Sequence, residues 1–353
     1  MQIADLLTVA VQRKASDLHL TVNRPPMIRV YGELMPIPSY PEISPETMEG
    51  LLRPLLNEKQ QQQLNVSGQV DFSHFIPELG RFRVNVFRQR NTLATVMRLI
   101  SNDIPALDTL GIPDAVRSFT EKARGLVLVT GPTGSGKSTT LASLIDIINN
   151  TRNCHIITLE DPIEYMHHHQ RAIVNQREVG TDTDSFANGL RAALREDPDV
   201  ILVGEMRDQE TIQIALTAAE TGHLVFATLH TNDATQTLDR IIDVFPPHQQ
   251  SQIRIQLSMA LQGIVAQTLI PKVNQAGRAV AVEIMITNGA VRNLIREGKT
   301  HQLPTVMLTG GRAGMQTMDS SLKSLYQRGI ISLQEAVLRA SDQEEFKKAL
   351  GVL

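Results

Sequence analysis

Apolar positions change period several times along the first hundred residues. Ile3, Leu6, Leu7 and Ala10 fall at helical spacing, so an amphipathic helix is predicted over residues 1–15. Leu18-His19-Leu20 opens a short strand. Pro25-Pro26 leads into the run 28–31, a turn at Gly32-Glu33 and a second run from Leu34, the pattern of a hairpin. A helix follows near 45–56, and the glutamines at 60–63 suit a solvated helix face. Residues 69–76, 81–90 and 93–100 alternate like strands of a half-buried antiparallel sheet. The first 100 residues therefore read as a small α+β domain.

The pattern then breaks. Residues 101–113, SNDIPALDTLGIP, carry two prolines and one glycine and no clear period, which places a linker there. Beyond it, unbroken apolar runs at 126–129, 156–159, 200–203 and 224–227 alternate with helical stretches from 138, through 209–221 and near 234–243. Such runs suit a parallel sheet covered on both faces. From about 288 the chain reads as mostly helical. The predicted class is α/β, with domains at 1–100 and 114–353.

Composition narrows the function. The 353 residues are 42% apolar and 20% charged, ample for two folded cores. A formal net charge of −3, aromatics at 4% and no Trp argue against dedicated nucleic-acid binding, which ordinarily uses a basic excess and stacking platforms. The single cysteine, Cys154, excludes an intrachain disulfide or thiolate cluster. Met1-Gln2-Ile3-Ala4-Asp5 lacks the basic start of a secretion signal, and no run approaches the roughly 20 apolar residues that cross a bilayer. The expectation is a cytoplasmic protein with no direct membrane insertion, able to work at a membrane through a protein partner.

Gly131-Pro132-Thr133-Gly134-Ser135-Gly136-Lys137-Ser138, followed by Thr139, fits the phosphate-binding pattern G-x-x-x-x-G-K-[ST]. An apolar strand precedes it and a helical stretch follows. The glycines let backbone N–H groups wrap phosphates, and the helix N-terminus favours an anion. Lys137 is expected to reach the β- and γ-phosphates of ATP, and the Ser138 hydroxyl to ligate Mg²⁺. An incidental glycine loop is the bland alternative, and the flanking strand and helix argue against it.

Two further apolar runs end in acids. The run 200–203 leads into Gly204-Glu205; a carboxylate there can hold Mg²⁺ or orient water, where a solvated glutamate is the plain alternative. The run 156–159 leads into Glu160-Asp161-Pro162-Ile163-Glu164, three carboxylates in five residues, which repel unless a cation or donors lie near. One or two of them suit a turn or helix cap, and Glu164 is the choice for the base that polarises water. His223 and His230 flank the run 224–229. His230 lies where a γ-phosphate sensor would sit; for His223 a structural and a catalytic reading stand even. His167-His168-His169 is read as surface, because neighbouring strand side chains point to alternate faces and cannot converge on a metal. Arg81, Arg83, Arg88, Arg90 and Arg98 crowd eighteen residues. A solvated face accounts for them from spacing alone; arginine fingers for a neighbouring subunit's ATP are the alternative.

Four ordered blocks resemble the secretion/pilus ATPase superfamily: GPTGSGKST, ITLEDPIEYMH, LREDPDVILVGEMRD and TGHLVFATLHTNDA. ASDLHL, GRFRVNVFRQR, AVRNLIREGK and GMQTMD extend the resemblance across nearly the whole chain, toward the branch that retracts type IV pili. The extension and type II secretion branches usually carry a longer N-terminal region and a four-cysteine metal insert, and this chain has neither. The resemblance implies a PAS-like N-terminal domain, a RecA-like ATPase domain and a homohexameric ring. ATP would lie between the domains, with Mg²⁺ held by Ser138 and Glu205. By motif matching, Lys137, Ser138, Glu164, Glu205, His223 and His230 take nucleotide-site roles, and Arg83 and Arg98 become the fingers. It also implies an inner-membrane pilus platform protein as partner, met at the cytoplasmic face. Two alternatives remain at this level: a nucleic-acid translocase of RecA-like type, opposed by the weak acidity, and a non-catalytic paralogue in a mixed ring, opposed by the intact acids and Lys137.

Overall fold

The computed structural model describes every residue except 31, 78, 101–102, 274–276 and 353. The alternation of the first hundred residues becomes one antiparallel sheet with helices on one face. In order come α1 (Ile3–Gln12), β1 (Asp17–Thr21), β2 (Met27–Val30), β3 (Glu33–Pro36), α2 (Pro45–Leu52), α3 (Glu58–Ser67), β4 (Gln69–Ile76), β5 (Gly80–Gln89) and β6 (Thr92–Leu99). The sheet order is β3-β2-β1-β6-β5-β4. Ile3, Leu6, Leu7 and Ala10 are buried in the same core as Leu18, Leu20, Val84, Val86 and Met97, as the helical and two-residue periods require. α3 buries only Leu64 and leaves the glutamine run to solvent; Asn57 and Gln60 close a capping box at its start. Arg90 and Asn91, at φ 47 and 62, make the tight turn between β5 and β6. Of the hairpin expected at 28–31, residue 31 lies outside the described residues.

By its contacts the chain divides into two compact units, Met1–Asp103 with Glu164–Met166, and Ile104–Ile163 with His167–Leu353. The stretch read as a linker is therefore structured from Ile104 onward. It forms a 3-10 turn at Leu107–Leu110, and Leu107 and Ile112 are buried with Val116 and Phe119. Its prolines and glycine hid two core anchors spaced too irregularly to show a period.

The second unit holds β7 (Gly125–Thr130), α4 (Lys137–Thr151), β8 (His155–Glu160), β9 (Ile173–Glu178), α5 (Phe186–Ala193), β10 (Val200–Val203), α6 (Gln209–Thr221), β11 (Leu224–Leu229), α7 (Ala234–Asp243), α8 (Pro247–Ala260), β12 (Leu261–Pro271) and β13 (Arg278–Ile286). The strand order is β13-β12-β7-β11-β10-β8-β9. Neighbours from β12 to β9 run parallel, and β13 joins antiparallel to β12. The four strands read from apolar runs are parallel as expected, and β13 adds an antiparallel edge. β7, β10 and β11 are buried at every residue. Leu126 and Leu128 of β7 join the core packed by α6, α7 and α8, while Val127 and Val129 join that of α4. Both faces of the strand are covered, which is why the sequence showed unbroken runs. The remainder is helical, as expected: α9 (Gly289–Glu297), α10 (Leu303–Thr309), α11 (Met318–Gln327), α12 (Leu333–Arg339) and α13 (Gln343–Leu350). Among the described residues no helix is long and apolar enough to cross a membrane.

Candidate functional site

In a parallel sheet, ligands gather beyond the C-terminal ends of the strands. β7 ends at Thr130, and the loop from Gly131 to Gly136 leads directly into α4. Gly131, Gly134 and Gly136 have φ of 142, 78 and 90, backbone that side chains rarely adopt. A Cβ at Gly131 would stand 2.2 Å from the Gln267 carbonyl oxygen, so only glycine fits. Pro132, Thr133 and Gly134 are exposed at the loop's crest, Ser135 is buried, and Lys137, Ser138 and Thr139 are half-buried on the first turn of α4. The Lys137 ammonium donates to the carbonyls of Gly131 at 2.7 Å and Pro132 at 3.1 Å, which folds its charge back over the loop.

The loop is held from below by a residue that no motif marks. Gln267 of β12 is 2% exposed. Its Nε2 donates to the Ser135 carbonyl at 2.8 Å, and its Oε1 accepts from the Thr140 hydroxyl at 2.9 Å. One amide therefore fixes both the loop and the helix. Its signal in the sequence is slight: a Gln-Thr pair interrupting the apolar run 264–270.

Glu205 and His230 follow the C-terminal ends of the adjacent strands β10 and β11. His230 Nε2 stands 3.3 Å from Glu205 Oε1. Arg207 grips the same carboxylate with both fork nitrogens, Nε to Oε1 at 2.5 Å and Nη2 to Oε2 at 2.6 Å. Burial works to raise the Glu205 carboxyl, but the Arg207 bond and charge and His230 outweigh it and leave it below the usual carboxylate range. Arg207 went unmarked in the sequence, although its place two residues past the acid was visible.

The other acids are dispersed. Glu160, the last residue of β8, accepts from the Thr158 hydroxyl at 2.7 Å and from Gln176 at 3.1 Å. Glu164 is exposed and falls with the first compact unit.

For His223 the sequence left a structural and a catalytic reading even, and the structure gives its position. It precedes Leu224, which pairs with Gly125, whereas the loop follows Thr130, which pairs with Leu229. The length of β11, about 20 Å, thus separates His223 from the loop of its own chain. Its Nδ1 lies 3.0 Å from the Ala218 carbonyl, at the end of α6. Within one chain the geometry fits the structural reading.

The surface reading of the histidine tract needs correction. His168 and His169 are exposed, but His167 is buried at 8% exposure, and the tract lies in the loop between β8 and β9 rather than on a strand. Burial, aided by His168, pushes its pKa down to about 4. Among the described residues no group of side chains forms a metal cluster. The lowered value implies that folding keeps His167 neutral while the unfolded chain binds a proton below pH ~6.5. Its contribution is full above that pH and is lost as pH falls toward 4. The chain is expected to be about 2 kcal/mol less stable at pH 5 than at pH 7.5 on this account. Urea unfolding at both pH values, with His167→Gln alongside, checks it: the variant must show a smaller difference.

In the first unit Arg83 and Arg98 face each other across β5 and β6. Arg98 Nε donates to buried Asp17 at 2.8 Å, and Arg83 lies 3.8 Å from Asp71. They line a small cavity of about 200 Å³ with Asn85 and Val96. Two half-neutralised arginines on an open sheet face remain able to meet an anion.

The model of type II/IV secretion system proteins matches residues 76–345. The type IV pilus retraction ATPase PilT of Pseudomonas aeruginosa is 49% identical over 346 residues, 98% of this chain and 100% of that protein. The chain belongs to the type II/IV secretion system protein family. A twitching motility protein of Neisseria gonorrhoeae is 50% identical over 319 residues, 90% of this chain and 85% of its own length. The crystal structure of the pilus retraction motor PilT with bound ADP matches with a TM-score of 0.93 at 50% identity and covers 99% of each chain. The likeness supports the α/β class, with an N-terminal domain followed by a RecA-like ATPase domain.

Two late blocks of this type II/IV secretion system protein now have a physical account. Asn288 caps α9 by accepting from Val291 N–H at 3.0 Å, and Gly298 ends it at φ 68. Val291 and Ile295 are buried, while Arg292, Asn293, Arg296 and Glu297 form an exposed polar face. In the block 314–319, Gln316 pairs its backbone both ways with Ile284, at 2.8 and 3.0 Å, and its side chain donates to the Val282 carbonyl. That block closes the edge of β13.

Proposed function

We propose that this chain is an ATP-hydrolysing motor that powers retraction of type IV pili and twitching motility, assembled as a homohexameric ring. The observation that carries the reading is the site at one end of the sheet, where the phosphate loop, Glu205 and His230 follow three neighbouring strands. It occurs in a chain that aligns with a pilus retraction motor from end to end. Loop residues 131–136 cradle the phosphates with their N–H groups, and Lys137 meets the β- and γ-phosphates. Ser138 and Glu205 suit a hard cation, since both offer oxygen, and Thr139 joins the loop in binding the nucleotide. Mg²⁺ bound there would neutralise the charge that builds on the phosphates. His230 senses the γ-phosphate, and Glu164 polarises the attacking water. His223 is left out of its own chain's site. Arg83 and Arg98 are the candidates for completing a neighbouring subunit's site. The platform protein at the cytoplasmic face of the inner membrane is the partner that would receive the motion.

Deleting the gene tests the reading: abundant pili that do not retract and loss of twitching are expected, and normal motility overturns it. Trans completion has its own test. Rings mixed from Lys137→Ala and Arg98→Ala chains should regain part of the turnover that each lacks. Confirmed mixing without rescue at any ratio would count against a shared site.

The exposed face of α9 is assigned to coupling. Replacing Arg292 and Arg296 with Ala leaves the buried stripe of Val291 and Ile295 untouched. ATP turnover is expected to stay within about twofold, since both side chains are exposed and surface substitutions cost the fold little, while twitching is lost. Normal twitching would remove α9 from the coupling path, and loss of the ring would make it structural.

A further inference from the structure

A carboxylate inside a sheet is costly unless donors meet it. Glu283 of β13 is 6% exposed, and both its oxygens are met by helix starts. Oε1 accepts from the N–H of Ala234 at 2.8 Å, and Oε2 from the N–H of Met318 at 3.3 Å. These are the first residues of α7 and α11. A helix start presents unsatisfied N–H groups and the positive end of its dipole, so an anion is the fitting partner. One side chain therefore caps two helices that are far apart in sequence.

The two helices lead to different places. Ala234 lies four residues after His230, and the intervening loop is folded onto α7: Asp233 accepts from Gln236 N–H at 2.7 Å, and the Thr231 and Thr237 hydroxyls stand 2.7 Å apart. The start of α7 and the residue that neighbours Glu205 are thus one short rigid segment. Met318 opens the C-terminal helices, whose Leu322, Ile331, Ala336 and Phe346 pack on Ile270 and Ala281. Ser321 accepts from Val282 N–H at 3.1 Å and fixes α11 on β13 beside Glu283. An open cavity of about 690 Å³ lies against Glu283, lined also by Asp233, Asp319, Lys323 and Glu345, so the bridge borders space into which the segment can shift. Burial and the charges of Asp233 and Asp319 raise the Glu283 carboxyl against the two N–H donors. With burial and two acids set against it, the carboxyl depends on both donors, and losing one would be felt.

We propose that Glu283 is a positioning residue that ties the His230 loop to the C-terminal helices and thereby sets where His230 stands beside Glu205. The proposal rests on the assignment of His230 to the ATPase site. It separates binding from turnover, because nucleotide affinity is set at the loop of residues 131–138, which Glu283 does not touch.

The full chain carrying E283Q, which keeps the side chain's volume, is compared with E283A and H230A. E283Q should lower kcat about tenfold with the KM for ATP within twofold, a split that a general loss of folded protein would not give. In a H230A background E283Q should have no further effect. Amide exchange at Ala234 and at Met318 should each quicken at least tenfold in E283A. Unchanged kcat in E283Q, an additive loss in the H230A background, or exchange that quickens at one helix start alone overturns the proposal. Loss of the native circular dichroism in both variants reduces Glu283 to a fold residue and overturns it as well. A wild-type chain that turns over no ATP sinks the ATPase reading instead, and the exchange arm still decides whether Glu283 joins the two helices.

Discussion

Lys137→Ala is expected to lower ATP turnover by about two to three orders of magnitude and to leave the fold intact. The ammonium lies over the loop, 2.7 Å from the Gly131 carbonyl, so it can swing to an anion without moving the backbone. Transferring a phosphoryl group spreads charge over oxygens that only positioned cations and donors can meet. Alanine removes the loop's own cation, Lys137, and keeps the N–H cradle, so weakened nucleotide binding should survive the loss of turnover. The fold should tolerate the change. Lys137 is half-buried and opens α4, where alanine is the better helix former. Gln267 still holds the loop to β12. Phosphate release and circular dichroism on the same preparation check the expectation. Near-wild-type turnover with an unchanged spectrum would remove the loop from the chemistry.

The parts of this site that were legible in the sequence are those whose partners are local. The phosphate loop is a contiguous run, and each glycine's role follows from its own backbone. Glu205 and His230 could be placed because each follows an unbroken apolar run, and buried parallel strands announce themselves that way. Gln267 and Glu283 were not legible. Their partners lie 127 and 132 residues away for Gln267 and 49 and 35 for Glu283, and only the tertiary fold brings them together. Period also has limits. It said that three consecutive histidines could not converge, but not that the first would be covered. It identified the strand before His230, but the direction of that strand, not its composition, carries His223 to the far end. Leu107 and Ile112 anchor a segment whose prolines argued for a free linker.

Glu164→Gln should keep nucleotide binding and lower turnover by about two orders of magnitude or more. The substitution preserves size and removes the charge to which the proposed function assigns the polarising of water. Two acids compete for that role, and they differ in how their carboxylates are engaged. Glu205 shares its carboxylate between both nitrogens of Arg207 and the ring of His230, and these partners lower its proton affinity despite its burial. A carboxylate so engaged is a poor base but a well-fixed anchor for a cation or for His230. Glu164 is exposed, so water can reach it. Glu205→Gln is therefore expected to loosen His230 and the cation site and to raise the Mg²⁺ needed for half-maximal rate. Glu164→Gln should leave that requirement unchanged. Equilibrium binding of a nucleotide and steady-state turnover across Mg²⁺ concentrations, run on both variants, distinguish the two. If Glu205→Gln alone kept binding and abolished turnover while Glu164→Gln was silent, the roles would exchange, and the ion pair with Arg207 would have to open during the reaction.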